Sequence, residues 1–303
     1  MPELPEVETV RASLEARVLG CTVSGVIVRR RDVIATPDDP PGGFGRQRRP
    51  VRSKSRAPRR VEKADLLLGD TIDAVLRHGK QLALVGASGR CVLIHLGMTG
   101  EVMAPGPGAR LRAADHLHVL WTLRDRQGHS AGRMVFRDPR RFGGVWTLPT
   151  RAELDDRWRA LGVDGLVVTG DDLRERAGTS ARAIKAALLD QRVVAGVGNI
   201  YADEGLFRAR LHPEMSAEAL SDADWDRLAA ELRTLLAHAV ELRGSTLRDY
   251  RDADGNIGDA SQLHQVYGRA GLACNSCGSE LASMTVAQRT TVCCPRCQPS
   301  YDH

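Results

Sequence analysis

The residue types with the most chemical potential in this 303-residue chain lie near its two ends. Toward one end, Cys274-x2-Cys277 and Cys294-x2-Cys297 flank sixteen residues. That spacing lets two knuckles bring four thiolates to one tetrahedral ion, so the four cysteines read as one structural zinc site, closed to substrate. Cys293 breaks the paired spacing and is left as a spare thiol. The other end reads MPELPEVETV. Removal of Met1 leaves the ring nitrogen of Pro2 as a free secondary amine, a group no internal proline has. Taken alone, PELPEVE also fits a proline-stiffened helix start whose acids favour the helix N-terminus. A third stretch, VVAGVGNIYADE at 193–204, is glycine-rich. Asn199 is placed there to cap a helix beginning near Tyr201, and free amides at that helix end would make an anion site. The glycines would let the backbone approach a ligand, or merely make a tight helix–helix connection. Lys185, on the preceding helix, can add a phosphate contact, although a solvated lysine is the ordinary expectation.

These groups need elements to hold them. Val7, Val10, Leu14 and Val18 recur at helical spacing and Gly20 stops the pattern, so the N-terminal motif runs into an amphipathic helix. Short alternating or apolar runs follow, among them TVSGVIVRR, DAVLRHGKQLALVG, CVLIHLGMTG, HLHVLWTLRD and RMVFRDPRRFGGVWTL, each bounded by turn residues. They predict a strand-rich first domain ending near Pro149. Beyond Thr150 the texture is helical: Ala181–Asp190, Tyr201–Arg208 and a longer stretch with Trp225, Leu228, Leu232, Leu235, Leu236 and Ala239 each keep one apolar face, and Gly244 suits the last helix's end. The cysteine module follows a polar, glycine-containing loop.

The net charge is +5, yet eight basic residues and no acidic one lie within 46–60, RQRRPVRSKSRAPRR. Basicity is therefore mostly one segment, read either as a solvated insertion or as an arm tracking phosphates. Apolar runs far shorter than a membrane span and an acidic start point to a soluble, cytoplasmic protein. Clustered cysteines in such a chain favour metal over disulfides.

MPELPEVETVR, HLGMTG, DPRRFGG, IKAALLDQRVVAGVGNIYADE, TLRDY, QVYGRAGLAC and AQRTTVCCPRC stand in an order similar to that of the formamidopyrimidine-DNA glycosylases. The resemblance implies an α+β, multidomain fold: an N-terminal catalytic β-sandwich flanked by helices (1–149), a helical helix-two-turn-helix DNA-binding domain (150–264) and a C-terminal zinc-finger β-hairpin (265–299). The implied partner is double-stranded DNA carrying damaged bases or abasic sites, with a location on the nucleoid, and the implied cofactor is one structural Zn2+; a monomer is the default for a protein that must encircle part of a duplex. The implied activity is bifunctional, base excision and strand cleavage by β,δ-elimination through a Schiff base on Pro2. An α-amine titrates at about 7.7–8.0, well below a lysine, so more of it is nucleophilic at neutral pH.

By the same resemblance Glu3 is the general acid/base, Glu6 supports the terminus, and Lys80 contacts phosphate and donates a proton in β-elimination. Arg289 binds phosphate and serves δ-elimination. Met98, Arg140 and Phe142 fill the gap left by the extruded nucleotide, and His116 contacts DNA. Glu8 is assigned to the helix surface. Three departures stand against the pattern: Ala114 replaces a histidine before Asp115-His116, Asp259 and Ala260 replace an aromatic pair in the loop that covers the lesion, and the region 31–60 is expanded and basic. Oxidised purines are the expected substrates. An endonuclease VIII-like preference for oxidised pyrimidines and a non-catalytic damaged-DNA-binding role are the alternatives.

Overall fold

A computed structural model describes residues 2–35, 61–108, 116–245, 253 and 255–300. The basic run 46–60, Ala114 and TLRDY at 246–250 lie outside the described residues. In chain order the elements are α1 (Leu4–Val18), β1 (Thr22–Val28), β2 (Ile34–Ala35), β3 (Ile72–His78), β4 (Gln81–Gly86), β5 (Cys91–His95), β6 (Glu101–Met103), β7 (Leu117–Arg124), β8 (Ser130–Arg137) and β9 (Gly144–Leu148). After them come α2 (Arg151–Arg159), β10 (Val163–Asp164), α3 (Gly170–Ala177), α4 (Ile184–Leu189), β11 (Val194–Ala195), α5 (Asn199–Arg208), α6 (Asp222–Glu241), β12 (Ala282–Val286) and β13 (Arg289–Cys293). Among the described residues no helix is long and apolar enough to cross a membrane.

The chain divides into two compact units, one comprising 1–2, 6–158 and 246–258, the other 3–5, 159–245 and 259–303. In the first, a four-stranded sheet in the order β1-β7-β8-β6 and a five-stranded sheet in the order β2-β9-β5-β4-β3 form a sandwich. Val23, Val26, Val119, Trp121 and Phe136 from one sheet share a core with Val75, Leu82, Leu84, Val92, Ile94 and Val145 from the other. The predicted stripe Val7, Val10, Leu14 and Val18 joins that core fully buried, each side chain contributing about 1.5–3 kcal/mol. The other face of the five-stranded sheet, with Ala83, Val85, Leu93, Trp146 and Leu148, is covered by Leu154 and Trp158 of α2.

In the second unit α3, α4, α5 and α6 pack around Val197, Tyr201, Leu206, Trp225, Leu228, Leu232 and Leu236. Ser221 and Asp224 form a capping box that starts α6, and Thr169 with Asp172 does the same for α3. Leu242 and Gly244 carbonyls beyond α6 accept the amides of Asp259 and Ala260 at 2.8 and 3.0 Å, and Ala260 is buried in the helical core. The two residues that depart from the family pattern thus close the end of α6. The cysteine module is a two-stranded β12-β13 hairpin whose turn residues Ala287 and Gln288 have φ of 48° and 59°. It packs on Phe207 through Val266, Leu281 and Val292.

Candidate active site and metal centre

In the second unit the glycine-rich turn before α5 receives the chain's own Glu3. Gly196 has φ of +108°, and a Cβ there would lie 2.5 Å from Leu4 Cδ1, so glycine is needed to admit residues 3–5. The Leu4 amide donates to the Gly196 carbonyl at 3.1 Å. Glu3 Oε2 then accepts the amides of Gly198 at 2.7 Å and Tyr201 at 3.4 Å, and Oε1 accepts that of Ile200 at 3.0 Å. The helix N-terminus expected to bind an external anion is thus occupied by a carboxylate from the residue following Pro2.

Two expectations are corrected here. Asn199 is not the cap: Gly198 holds that position without a side-chain bond, the helix begins at Asn199 rather than near Tyr201, and Asn199 Nδ2 donates to the Thr290 carbonyl at 3.0 Å. Lys185 is not the solvated lysine of ordinary expectation. Its side chain is 0% exposed, its Nζ lies 2.6 Å from Asp203 Oδ1, and it donates to Thr291 Oγ1 at 2.6 Å and the Thr290 carbonyl at 3.3 Å. Asp203 in turn accepts the Val292 amide at 3.2 Å. Burial pushes the Asp203 carboxyl up to about 6 against the pull of Lys185, and burial likewise draws Lys185 down. Its neighbour Glu204, also buried, accepts the amides of Gln265, Val266 and Tyr267 at 2.8–2.9 Å. Two adjacent acids on α5 therefore fasten the cysteine module at its start and at β13, and Arg289 is left exposed at the start of that strand.

Cys274, Cys277, Cys294 and Cys297 place their sulfurs within 4.8 Å of one another. The Cys274–Cys297 and Cys277–Cys294 separations are 4.0 and 3.4 Å, bracketing the ~3.8 Å expected between thiolates tetrahedrally bound at about 2.3 Å. The four can hold a metal ion. Cys293 is buried and outside the group, its thiol pushed up to about 11 by desolvation.

In the first unit Pro2 and Glu6 are buried. Gly79 and Lys80 form the two-residue turn joining β3 to β4, with Gly79 at φ of +55°, and Lys80 is only 8% exposed although it sits at a hairpin tip. Glu8, expected on the helix surface, instead accepts Arg77 Nε at 2.7 Å and Arg11 Nε at 2.8 Å.

Met98 and the DPRRFGG residues occupy two apposed turns. A Cβ on Gly97 would come within 2.4 Å of the Gly143 nitrogen, so the turns touch backbone to backbone. Asp138, fully buried, ties them: it accepts from Thr99 Oγ1 at 2.6 Å and from the Gly143 amide at 2.7 Å. His118 Nε2 hydrogen-bonds the Asp138 carbonyl at 2.8 Å. Met98 is 43% exposed, which removes a core role for it, and Arg140 lies with Cζ 4.8 Å over the half-buried Phe142 ring. His116 is exposed with φ of 53°.

Sequence reasoning passed over His95, at the end of β5 in HLGMTG. Burial, with the nearby Lys80 charge, pushes it down to about 4 despite Asp138. Its Nδ1 accepts the Gly97 amide at 3.1 Å, so the neutral ring carries its proton on Nε2. Its place inside a motif with two glycines was the available signal.

A family model for the formamidopyrimidine-DNA glycosylase N-terminal domain matches residues 1–145, and one for the formamidopyrimidine-DNA glycosylase H2TH domain matches 161–251. A formamidopyrimidine-DNA glycosylase of Symbiobacterium thermophilum is 41% identical over 303 residues, covering 99% of this chain and 90% of its own. That of Thermomicrobium roseum is 40% identical over 314 residues, with 99% of both chains covered. Among solved structures, the MutM (Fpg) protein of Thermus thermophilus superposes with a TM-score of 0.78 at 37% identity, covering 99% of this chain and 100% of its own. Lactococcus lactis Fpg in complex with abasic-site DNA gives 0.79 at 30%, covering 98% and 100%. With both parts of the chain matched, this protein belongs to the formamidopyrimidine-DNA glycosylase family.

Proposed function

We propose that this base excision repair glycosylase is bifunctional, releasing oxidised purines and then cutting the strand. The observation that carries the reading is Glu3, seated on three backbone amides one residue after Pro2. Once Met1 is removed, the Pro2 nitrogen attacks C1′, the glycosidic bond breaks, and the base leaves with the bonding electrons. Glu3 exchanges the proton that opens the deoxyribose at its ring oxygen. Because the amine is secondary, the resulting iminium has no N–H proton to lose. Its fixed charge acidifies C2′; water takes that proton, the C2′–H electrons form a C2′=C3′ double bond, and the C3′–O bond breaks to expel the 3′-phosphate, to which Lys80 donates a proton. A second elimination, served by Arg289, expels the 5′-phosphate, and water then releases the sugar remnant and restores Pro2.

Glu6 supports the terminus, while Met98, Arg140 and Phe142 fill the vacated stack. The exposure of Met98 and the Arg140–Phe142 stacking favour that role. Asn199 and His116 are further DNA contacts, and 46–60 is an arm adding phosphate contacts. The four cysteines take one Zn2+, which when bound supplies only a structural cross-link. In functional terms the chain then divides at 149 and 264, and its substrate places it on the nucleoid. Solved relatives bound to Fapy-dG DNA favour purine lesions. A relative bound to DNA containing an oxidised pyrimidine keeps pyrimidine lesions as a second reading.

Borohydride reduction during incubation with duplexes carrying 8-oxoguanine, a formamidopyrimidine, an oxidised pyrimidine or an abasic site tests the mechanism. A covalent adduct is expected with the purine lesions and the abasic site, and it should vanish when Met1 is retained, because the Pro2 nitrogen is then an amide. No adduct on any duplex overturns the reading.

A further inference from the structure

We propose that Glu8 and Arg77 are positioning residues that hold the Lys80 turn against the helix led by Pro2, with Trp158 bracketing the turn from its other side. The inference rests on the catalytic roles proposed above for Pro2 and Lys80.

Lys80 stands at the tip of a two-residue hairpin turn, a place where a lysine is ordinarily mobile and solvated, yet it is 8% exposed. The residues around it are tied on both flanks. Arg77, its side chain 7% exposed, donates Nε to Glu8 Oε2 at 2.7 Å and Nη1 to the carbonyl of Gly79 at 3.1 Å. One guanidinium thus joins α1 to the peptide unit directly preceding Lys80. The other Glu8 oxygen accepts Arg11 Nε at 2.8 Å, and Arg11 reaches the Val75 carbonyl on β3 at 3.4 Å. The carboxylate is held from two directions, so rotating Glu8 away breaks both bonds. After the turn, Trp158 Nε1 donates to Gln81 Oε1 at 3.0 Å, and its ring lies 5.8 Å from that of His78. Residues 77, 78, 79 and 81 are therefore all engaged, and the turn's pose follows from α1 and α2 rather than from the hairpin alone.

Chemistry gives such a strut a purpose. A nucleophile and a proton donor that must act on one sugar-phosphate lose rate steeply when their separation drifts. Arg77 and Glu8 touch neither reacting atom; they act through Lys80.

The test measures single-turnover strand cleavage on a preformed abasic duplex, with DNA affinity measured separately. Glu8→Gln and Arg77→Met should each slow cleavage about ten- to hundredfold, with affinity within about twofold of the parent. Trp158→Phe, which keeps the ring and loses the N–H, should give a smaller slowing in the same direction. Repeating the two strut substitutions in a Lys80→Ala background should add less than about twofold to the slowing that background already shows. Full-size additional losses in that background, or parental rates in all three single variants, would overturn the proposal. Failure of the underlying reading is separate: it appears as absence of a borohydride adduct in the unsubstituted protein. Circular dichroism on each variant distinguishes a shifted turn from an unfolded unit, and an unfolded Glu8→Gln leaves Trp158→Phe to decide.

Discussion

Replacing Lys185 by Met is the most informative perturbation of the helical unit. The substitution keeps the volume and removes the cation 2.6 Å from Asp203, which is 1% exposed. An unpartnered buried carboxylate costs about 3–5 kcal/mol, but Asp203 can escape by taking a proton. Its carboxyl already sits at about 6 with Lys185 present, and losing that charge raises it further. Protonating an acid of unfolded pKa near 3.9 costs about 4 kcal/mol at pH 7 and about 2 kcal/mol at pH 5.5, which caps the penalty. The sign follows: a folded value above the unfolded one favours folding at low pH and loses that advantage as pH rises. Lys185→Met should therefore destabilise by up to about 4 kcal/mol at pH 7 and roughly half that at pH 5.5. Adding Asp203→Asn should restore most of the loss, because replacing both charges leaves no buried ion. Denaturant unfolding of the metal-loaded protein at the two pH values, with hydrogen exchange at the Val292 amide, reads both effects. A pH-independent loss under about 1 kcal/mol, or a double variant as unstable as the single one, refutes the account of Lys185 as a buried clamp.

Other expectations are briefer. His95 should stay neutral above about pH 5 by ring NMR, and Lys80→Ala should raise its pKa by removing a neighbouring cation; an unchanged titration contradicts the coupling. Asp190, held down to about 2 first by Arg192, adds stability that is present above about pH 5 and lost as pH falls toward 2. After discounting for solvent screening this is about 1 kcal/mol, and Asp190→Asn should flatten that acid limb of the unfolding curve. Stripping the metal, or Cys277→Ser, should release the hairpin and halt δ-elimination while the Pro2 adduct still forms; gel analysis of the product ends checks it.

What could be read without the structure were features whose period or spacing is local. The α1 stripe, the alternating strands and the paired cysteines each carry their pattern within a few residues, and their elements appear where expected. The residues whose partners a local reading does not reach share another property: those partners are distant in sequence. Glu3 meets Gly198 across 195 positions, Glu8 meets Arg77 across 69, and Lys185 meets Thr291 across 106. Asn199 illustrates the consequence, since Asn before an apolar helix is a sound cap by local rules. The cap is displaced because a carboxylate from the chain's third residue satisfies the same amides with a full charge, and a charge-assisted bond outcompetes a neutral one. Asp203 and Glu204 look like ordinary helical acids because nothing nearby announces that hairpin and loop amides will close over them. In this fold, acids serve as connectors between segments far apart in the chain. A buried acid is therefore the residue type whose role a local reading most readily mistakes for solvation, as Asp203 and Glu204 show.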